Sequence, residues 1–229
     1  MPSGEGPRTA LRVEGGLPRH LAAHLERLVR GAEALGEPVL WLRDLGSALE
    51  AWVAAQARPE GALRLGLDPA AGLLTARFES RPVTPDPYRL LPLPHPLGDL
   101  RGSPLARHKG LTGPWRQPVV REARTHGADD ALLFWPDGTV AETAIASLAL
   151  ERSDALLLAP TAGRVASLGE DLDLPSWAEA RGLQIRWEAM PVPSLASGRL
   201  WCVNAVRGIW PAMLMERTTR EDPPWAPRT

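Results

Sequence analysis

Residues 127–143 read GADDALLFWPDGTVAET. Ala131–Trp135 is an unbroken apolar run of strand length, Pro136-Asp137-Gly138 is a turn signal, and apolar residues resume beyond it. The stretch therefore reads as a β-hairpin. Glu142 is expected just past the return strand. Upstream, a helix is expected from about Pro118 to His126. It is preceded by a proline-rich strand region, YRLLPLPHPLGDLRGSPLARHKG, which leads to Lys109. Downstream, Ile145–Leu150 and Ala155–Leu158 form two arms of a meander. A short helix (PSWAEARG) and the strands Leu183–Glu188 and Leu200–Val203 follow.

The N-terminal part has its own pattern. Thr9–Val13 reads as a short strand turned by Glu14-Gly15-Gly16. Pro18 opens a helix with apolar residues at Leu21, Leu25, Leu28, Ala32 and Leu35, a 3.6-residue stripe that Gly36 stops. A second helix carries Leu45, Leu49, Trp52 and Val53 on one face. Leu63, Leu65 and Leu67 alternate, residues 68–72 turn, and Leu74, Ala76 and Phe78 alternate back, which makes a second hairpin. The stretch RPVTPDPY reads as a linker. The expected organisation is α/β (α+β): a small N-terminal α+β domain at 1–80, a linker at 81–88 and a larger mixed domain at 89–229.

Composition narrows the function. The chain has 229 residues, 23% of them charged, and a formal net charge of −1. Near-neutral charge with arginines spread along the chain speaks against nucleic-acid binding. No apolar run approaches the roughly 20 residues of a membrane span. One cysteine, Cys202, permits neither an internal disulfide nor a thiolate zinc cluster and suits a reducing compartment such as the cytoplasm. His20 and His24, four apart on a helix, lack a third ligand and read as partly exposed helix residues, so no metal is expected. Neither a nucleophile elbow nor a Walker A or G-x-G-x-x-G motif occurs.

The basic residues are more informative. Of 26 Lys+Arg, Lys109 is the single lysine. Arginine stays charged, whereas a desolvated lysine can lose its proton and act as a nucleophile. On composition alone, a leftover surface lysine is the simpler reading.

Four segments, in order, change that balance. GEGPRTALRVEGGLPRHLAAHLERL, ARHKG, GADDALLFWPDGTVAET and LWCVNAVRGIWPA resemble the class IV aminotransferases, the pyridoxal-phosphate enzymes of fold type IV. They match that family's opening strand and H-L-x-R-L helix, its Schiff-base lysine, its glutamate hairpin, and an N-x-x-R-G turn closest to the aminodeoxychorismate lyase branch. The resemblance implies the two-domain fold type IV architecture, pyridoxal 5'-phosphate as cofactor and a homodimer acting on a small molecule. It implies that Lys109 bonds the cofactor's aldehyde carbon and carries the proton, that Arg27 grips the phosphate, and that Glu142 faces the pyridine nitrogen. Backbone N–H groups near Leu168 and Gly169, with Ala205 on a second turn, would complete the phosphate site. Arg207 and, more weakly, Arg107 would meet substrate carboxylates.

The chain departs from the family at Val165-Ala166-Ser167-Leu168-Gly169, where L-P-G is usual. It also has Ser147 in place of an asparagine, and Pro114 and Trp115 where a tyrosine is common. The implied reaction is conversion of 4-amino-4-deoxychorismate to 4-aminobenzoate and pyruvate. The alternatives are a transaminase of branched-chain or D-amino acids, and a degenerate paralogue without catalysis.

Overall fold

The computed structural model describes residues 6–165 and 167–216. The chain divides into two compact units. The first is Met1–Val83 with Leu105–Pro114 and Ala205–Arg207; the second is Thr84–Pro104, Trp115–Asn204 and Gly208–Thr229. The segment around Lys109 and the turn after Asn204, which a linear division would assign to the larger domain, thus cluster with the first unit.

In the first unit, strands β1 (Arg8–Glu14), β2 (Leu17–Pro18), β3 (Gly61–Asp68) and β4 (Leu73–Glu79) form a sheet in the order β2-β1-β3-β4. Successive strand residues face opposite ways, so Thr9, Leu11 and Val13 share one face of β1. Leu11 and Val13 join Leu63 and Leu65 of β3 in a core closed by helices α1 (Leu21–Glu33) and α2 (Gly46–Ala54). The hairpin register pairs Leu63 with Phe78, Leu65 with Ala76 and Leu67 with Leu74, as the alternation predicts.

Helix α1 begins at Leu21 rather than Pro18, because Pro18 is paired with Val13 in the short strand β2. Its stripe buries Leu25, Leu28, Val29 and Ala32, whereas Leu35 lies beyond the last turn and is exposed. On α2, Leu49 and Val53 point inward and Trp52, about 100° around the helix, stays exposed.

The second unit is built on an eight-stranded mixed sheet. Its strands are β5 (Tyr88–Pro94), β6 (Asp130–Phe134), β7 (Val140–Thr143), β8 (Ser147–Arg152), β9 (Ala155–Leu158), β10 (Gln184–Trp187), β11 (Arg199–Asn204) and β12 (Gly208–Leu214). They lie in the order β10-β9-β8-β11-β12-β5-β6-β7. Helix α3 (Arg116–Thr125) makes the crossover between the parallel strands β5 and β6 and covers Leu91, Leu93 and Leu133. Two short helices, α4 (Leu168–Leu172) and α5 (Leu174–Glu179), lie between β9 and β10 in the chain. From α5, Leu174 and Ala178 pack on Ala149, Leu156 and Leu158.

Prolines in interior strands ordinarily argue against a strand, because they remove a ladder donor. In β5 the even residues face β12, since Leu90 C=O accepts from Met215 N–H (2.9 Å), and the odd ones face β6. The β12 pairing ends at Leu90, so Pro92 and Pro94 interrupt no ladder. β12 itself is absent from the sequence expectation. It carries Pro211, and its pairing with β5 starts only at Ala212.

Candidate active site

In the first unit, Lys109 follows a 3-10 turn (Pro104–Arg107) and is held by its backbone. Its carbonyl accepts the Arg8 N–H of β1 at 2.9 Å. Gly110 has φ +103, and a Cβ there would stand 2.4 Å from the Gly6 carbonyl oxygen, so only glycine lets the chain pass β1 this closely. Farther along β1, the Arg12 N–H is donated to the Ala205 carbonyl at 3.0 Å, and Val206 is buried with Ala10 and Ala62. One strand edge thus fixes both the lysine turn and the Ala205 turn, four residues or about 13 Å apart.

Lys109, Arg27 and Arg207 are each partly buried, whereas Arg107 is exposed at the end of its 3-10 turn.

His24 corrects a sequence expectation. It is 1% exposed, and its Nδ1 lies 2.6 Å from Thr9 Oγ1. Thr9 sits on the face of β1 that packs on α1, a contact between residues far apart in the chain. Burial, then the positive charges of Arg27, Lys109 and His20, push the His24 pKa down to about 3. Arg27 lies three residues on, on the same helix face. A neutral imidazole therefore lies within the field of the two cations the sequence singled out. His108, next to the lysine, is also lowered, first by burial and then by Arg30, Arg107 and Arg27.

In the second unit, Glu142 lies within β7 rather than past its end. The register with β6 shifts at Leu133/Phe134, Glu142 stands opposite Leu133, and all four β7 residues are buried. Both Glu142 carboxylate oxygens accept from Arg116 Nη2 at 3.1 Å. Arg116 Nη1 donates to the Ala144 carbonyl at 2.7 Å. Behind them Asp130, which sequence reasoning passed over, is fully buried, and its carboxyl accepts from the N–H of Ala131 (2.8 Å) and Ile145 (3.4 Å). Burial pushes its pKa up to about 6. Its only signal in sequence was an acid beside an apolar strand.

Leu168 and Gly169 open α4, whose N-cap Ser167 accepts the Gly169 N–H at 3.2 Å. Glu170 in that first turn is paired with Arg164, both side chains being essentially inaccessible. Ser147 Oγ lies 3.4 Å from both the Ser167 N–H and Arg164 Nη1. The serine that replaces the expected asparagine is thus still tied to this turn.

Residues 8–214 match the family described as amino-transferase class IV. The chain belongs to the class IV aminotransferases.

The class IV fold agrees with solved structures. A fold IV transaminase from Curtobacterium pusillum is 23% identical, with TM-score 0.79, over 93% of this chain and 79% of its own. A hypothetical aminotransferase from Mycobacterium tuberculosis, in its pyridoxal-phosphate-bound form, is 26% identical with TM-score 0.77 over 93% and 82%. A 4-amino-4-deoxychorismate lyase from Pseudomonas aeruginosa is 25% identical with TM-score 0.70 over 93% and 83%. No curated relative matches the sequence. Among the described residues no helix is long and apolar enough to cross a membrane.

The class IV chain carries a second buried imidazole, His95, whose pKa falls to about 4, mainly through burial and then through Arg116. Histidines buried neutral contribute stability that is complete above the unfolded pKa of 6.5 and is lost as pH falls toward the folded value. For His24 the loss between pH 6.5 and 3 is on the order of 4 kcal/mol. Asp130 acts oppositely, gaining stability as pH falls from about 6 toward 3.8. Denaturant titrations at pH 7, 5 and 4 are expected to show His24→Gln losing less stability on acidification than the parent. Parallel losses in the two proteins would contradict the burial of a neutral His24.

Proposed function

We propose that this class IV chain is a pyridoxal-phosphate-dependent lyase that converts 4-amino-4-deoxychorismate to 4-aminobenzoate and pyruvate. The observation that carries the cofactor part is the setting of the only lysine. Lys109 is a partly buried residue whose backbone is held on β1, with Arg27 close enough that both charges act on one buried imidazole. The residue types suit an anionic aldehyde: Lys109 offers an amine, Arg27 a guanidinium and Glu142 a carboxylate.

When bound, pyridoxal phosphate supplies an aldehyde for amines and a ring that accepts electrons. Lys109 Nζ would hold the aldehyde carbon until the substrate amine replaces it, and would then take the proton from the carbon bearing the substrate nitrogen. Arg27 would grip the phosphate with its planar fork. The N–H groups of Leu168, Gly169 and Ala205 would add backbone donors, with the Gly169 donor shared with Ser167 Oγ. Glu142 would hold the proton on the ring nitrogen. The lyase reading rests on Arg207 in the N-A-V-R-G turn, a partner for a substrate carboxylate with Arg107 as a weaker second, and on the similarity to the Pseudomonas lyase. A homodimer and a cytoplasmic setting belong to the same proposal, the latter supported by a single, buried cysteine.

The test is incubation with pyridoxal phosphate and aminodeoxychorismate. Release of pyruvate with the aromatic acid supports the lyase. Amino transfer to a keto acid instead supports a transaminase, the reading favoured by the similarity to the Mycobacterium aminotransferase. A protein that takes up no cofactor is a degenerate paralogue. Glu142→Gln is expected to keep the cofactor and slow turnover by about 10- to 100-fold, the worth of one charged hydrogen bond. Unchanged steady-state turnover would remove Glu142 from the reaction.

A further inference from the structure

Arg116 opens α3, where a cation is the wrong sign for the helix dipole, so helix stability does not account for it. Three contacts fix its guanidinium instead. Nη2 reaches both oxygens of Glu142, Nη1 reaches the Ala144 carbonyl, and Cζ lies over the Trp115 ring, 4.4 Å from its centroid. Trp115 is itself buried and packed edge-on against His95 at 4.8 Å. The guanidinium therefore has a single seat, made by α3, the residue before it and the loop after β7. The other titratable groups packed around it are His95, which is neutral, and Asp130 of β6, which Arg116 draws toward ionisation against the pull of burial.

A carboxylate that shares its charge with a forked guanidinium holds a second proton donor less tightly than an unpaired one. Resting on the reading that Glu142 faces the ring nitrogen of pyridoxal phosphate, we propose that Arg116 is a positioning residue acting through Glu142. It fixes the carboxylate's orientation and moderates its hold on the proton of that nitrogen. Moderating that hold needs only a cation paired with Glu142, which a lysine ammonium also supplies, whereas the full three-contact seat needs the guanidinium.

The experiment compares equilibrium uptake of pyridoxal phosphate with that of its 1-deaza analogue, which has C–H in place of the ring nitrogen. Absorbance titrations of the parent, Arg116→Met and Arg116→Lys supply the ratio of the two affinities. That ratio is expected to rise about tenfold in favour of pyridoxal phosphate in Arg116→Met, where Glu142 loses the Arg116 pair, and to stay within about twofold of the parent in Arg116→Lys, which keeps a cation there. Adding Glu142→Gln to Arg116→Met is expected to abolish the rise. General damage to the fold would weaken both compounds alike and leave the ratio unmoved, so a ratio that is unchanged or lower in Arg116→Met overturns the proposal. If Arg116→Met does not fold, Arg116→Gln carries the same expectation. A parent protein that takes up neither compound overturns the cofactor reading itself, and this inference with it.

Discussion

The Lys109→Arg protein is expected to fold like its parent and to form no borohydride-reducible adduct with pyridoxal phosphate, with turnover falling to background. Arginine nearly preserves charge and bulk, and the fixed part of the site is the backbone: the Lys109 carbonyl still accepts from Arg8, and Gly110 still makes the close pass of β1. What is lost is the ability to shed a proton and attack an aldehyde, since a guanidinium stays charged at any pH the protein survives. The measurements are the visible absorbance of the protein with cofactor, mass spectrometry after borohydride, and a thermal unfolding curve. An arginine variant that still gave the reduced adduct would remove Lys109 from the chemistry, and no second lysine exists to replace it.

Arg164→Met is expected to cost about 3–5 kcal/mol of stability, the usual price of stranding one partner of a buried ion pair. Arg164 and Glu170 are 1% and 0% exposed in their side chains and are joined by two bonds of 2.9 and 3.0 Å. The guanidinium also donates to the carbonyls of Ala159 (2.5 Å) and Pro160 (3.1 Å). Removing it leaves a carboxylate and two carbonyls without those donors, in a domain class whose total stability is typically only about 5–15 kcal/mol. The double variant Arg164→Met/Glu170→Met is expected to recover most of the loss, because it strands no charge. Denaturant midpoints of the two single variants and the double variant form the cycle, and a loss below about 1 kcal/mol for Arg164→Met would show the pair to be unimportant. Because Glu170 lies in the first turn of α4, the single variant is also expected to disturb Leu168 and Gly169.

The legible parts of the molecule are those with a local period. Leu63–Leu65–Leu67 against Leu74–Ala76–Phe78 alternates and is a hairpin in the expected register. The α1 stripe is a 3.6-residue pattern and is buried as such, apart from Leu35 beyond its end. The illegible parts depend on what arrives from elsewhere in the chain. Pro211 hides β12, whose pairing with β5 starts only at Ala212, whereas β5 was legible as a strand region despite Pro92 and Pro94. Glu142 reads as lying just past a return strand, and pairing of Thr143 with Leu132 of β6 carries β7 beyond it.

Sequence alone determined the residue chemistry: one amine among arginines, the order of the four family segments, and the alternating and helical faces that build two sheets with their helices. Tertiary structure alone decided which charges meet. His24 is neutral because packing buries it and the cations Arg27 and Lys109 stand near it, Glu142 is paired because α3 delivers Arg116, and the α4 turn is anchored because Arg164 is buried beside Glu170. The physical reason is range. Backbone preference and periodic burial are written within a few neighbouring residues, whereas desolvation and ion pairing depend on atoms brought together from distant parts of the chain.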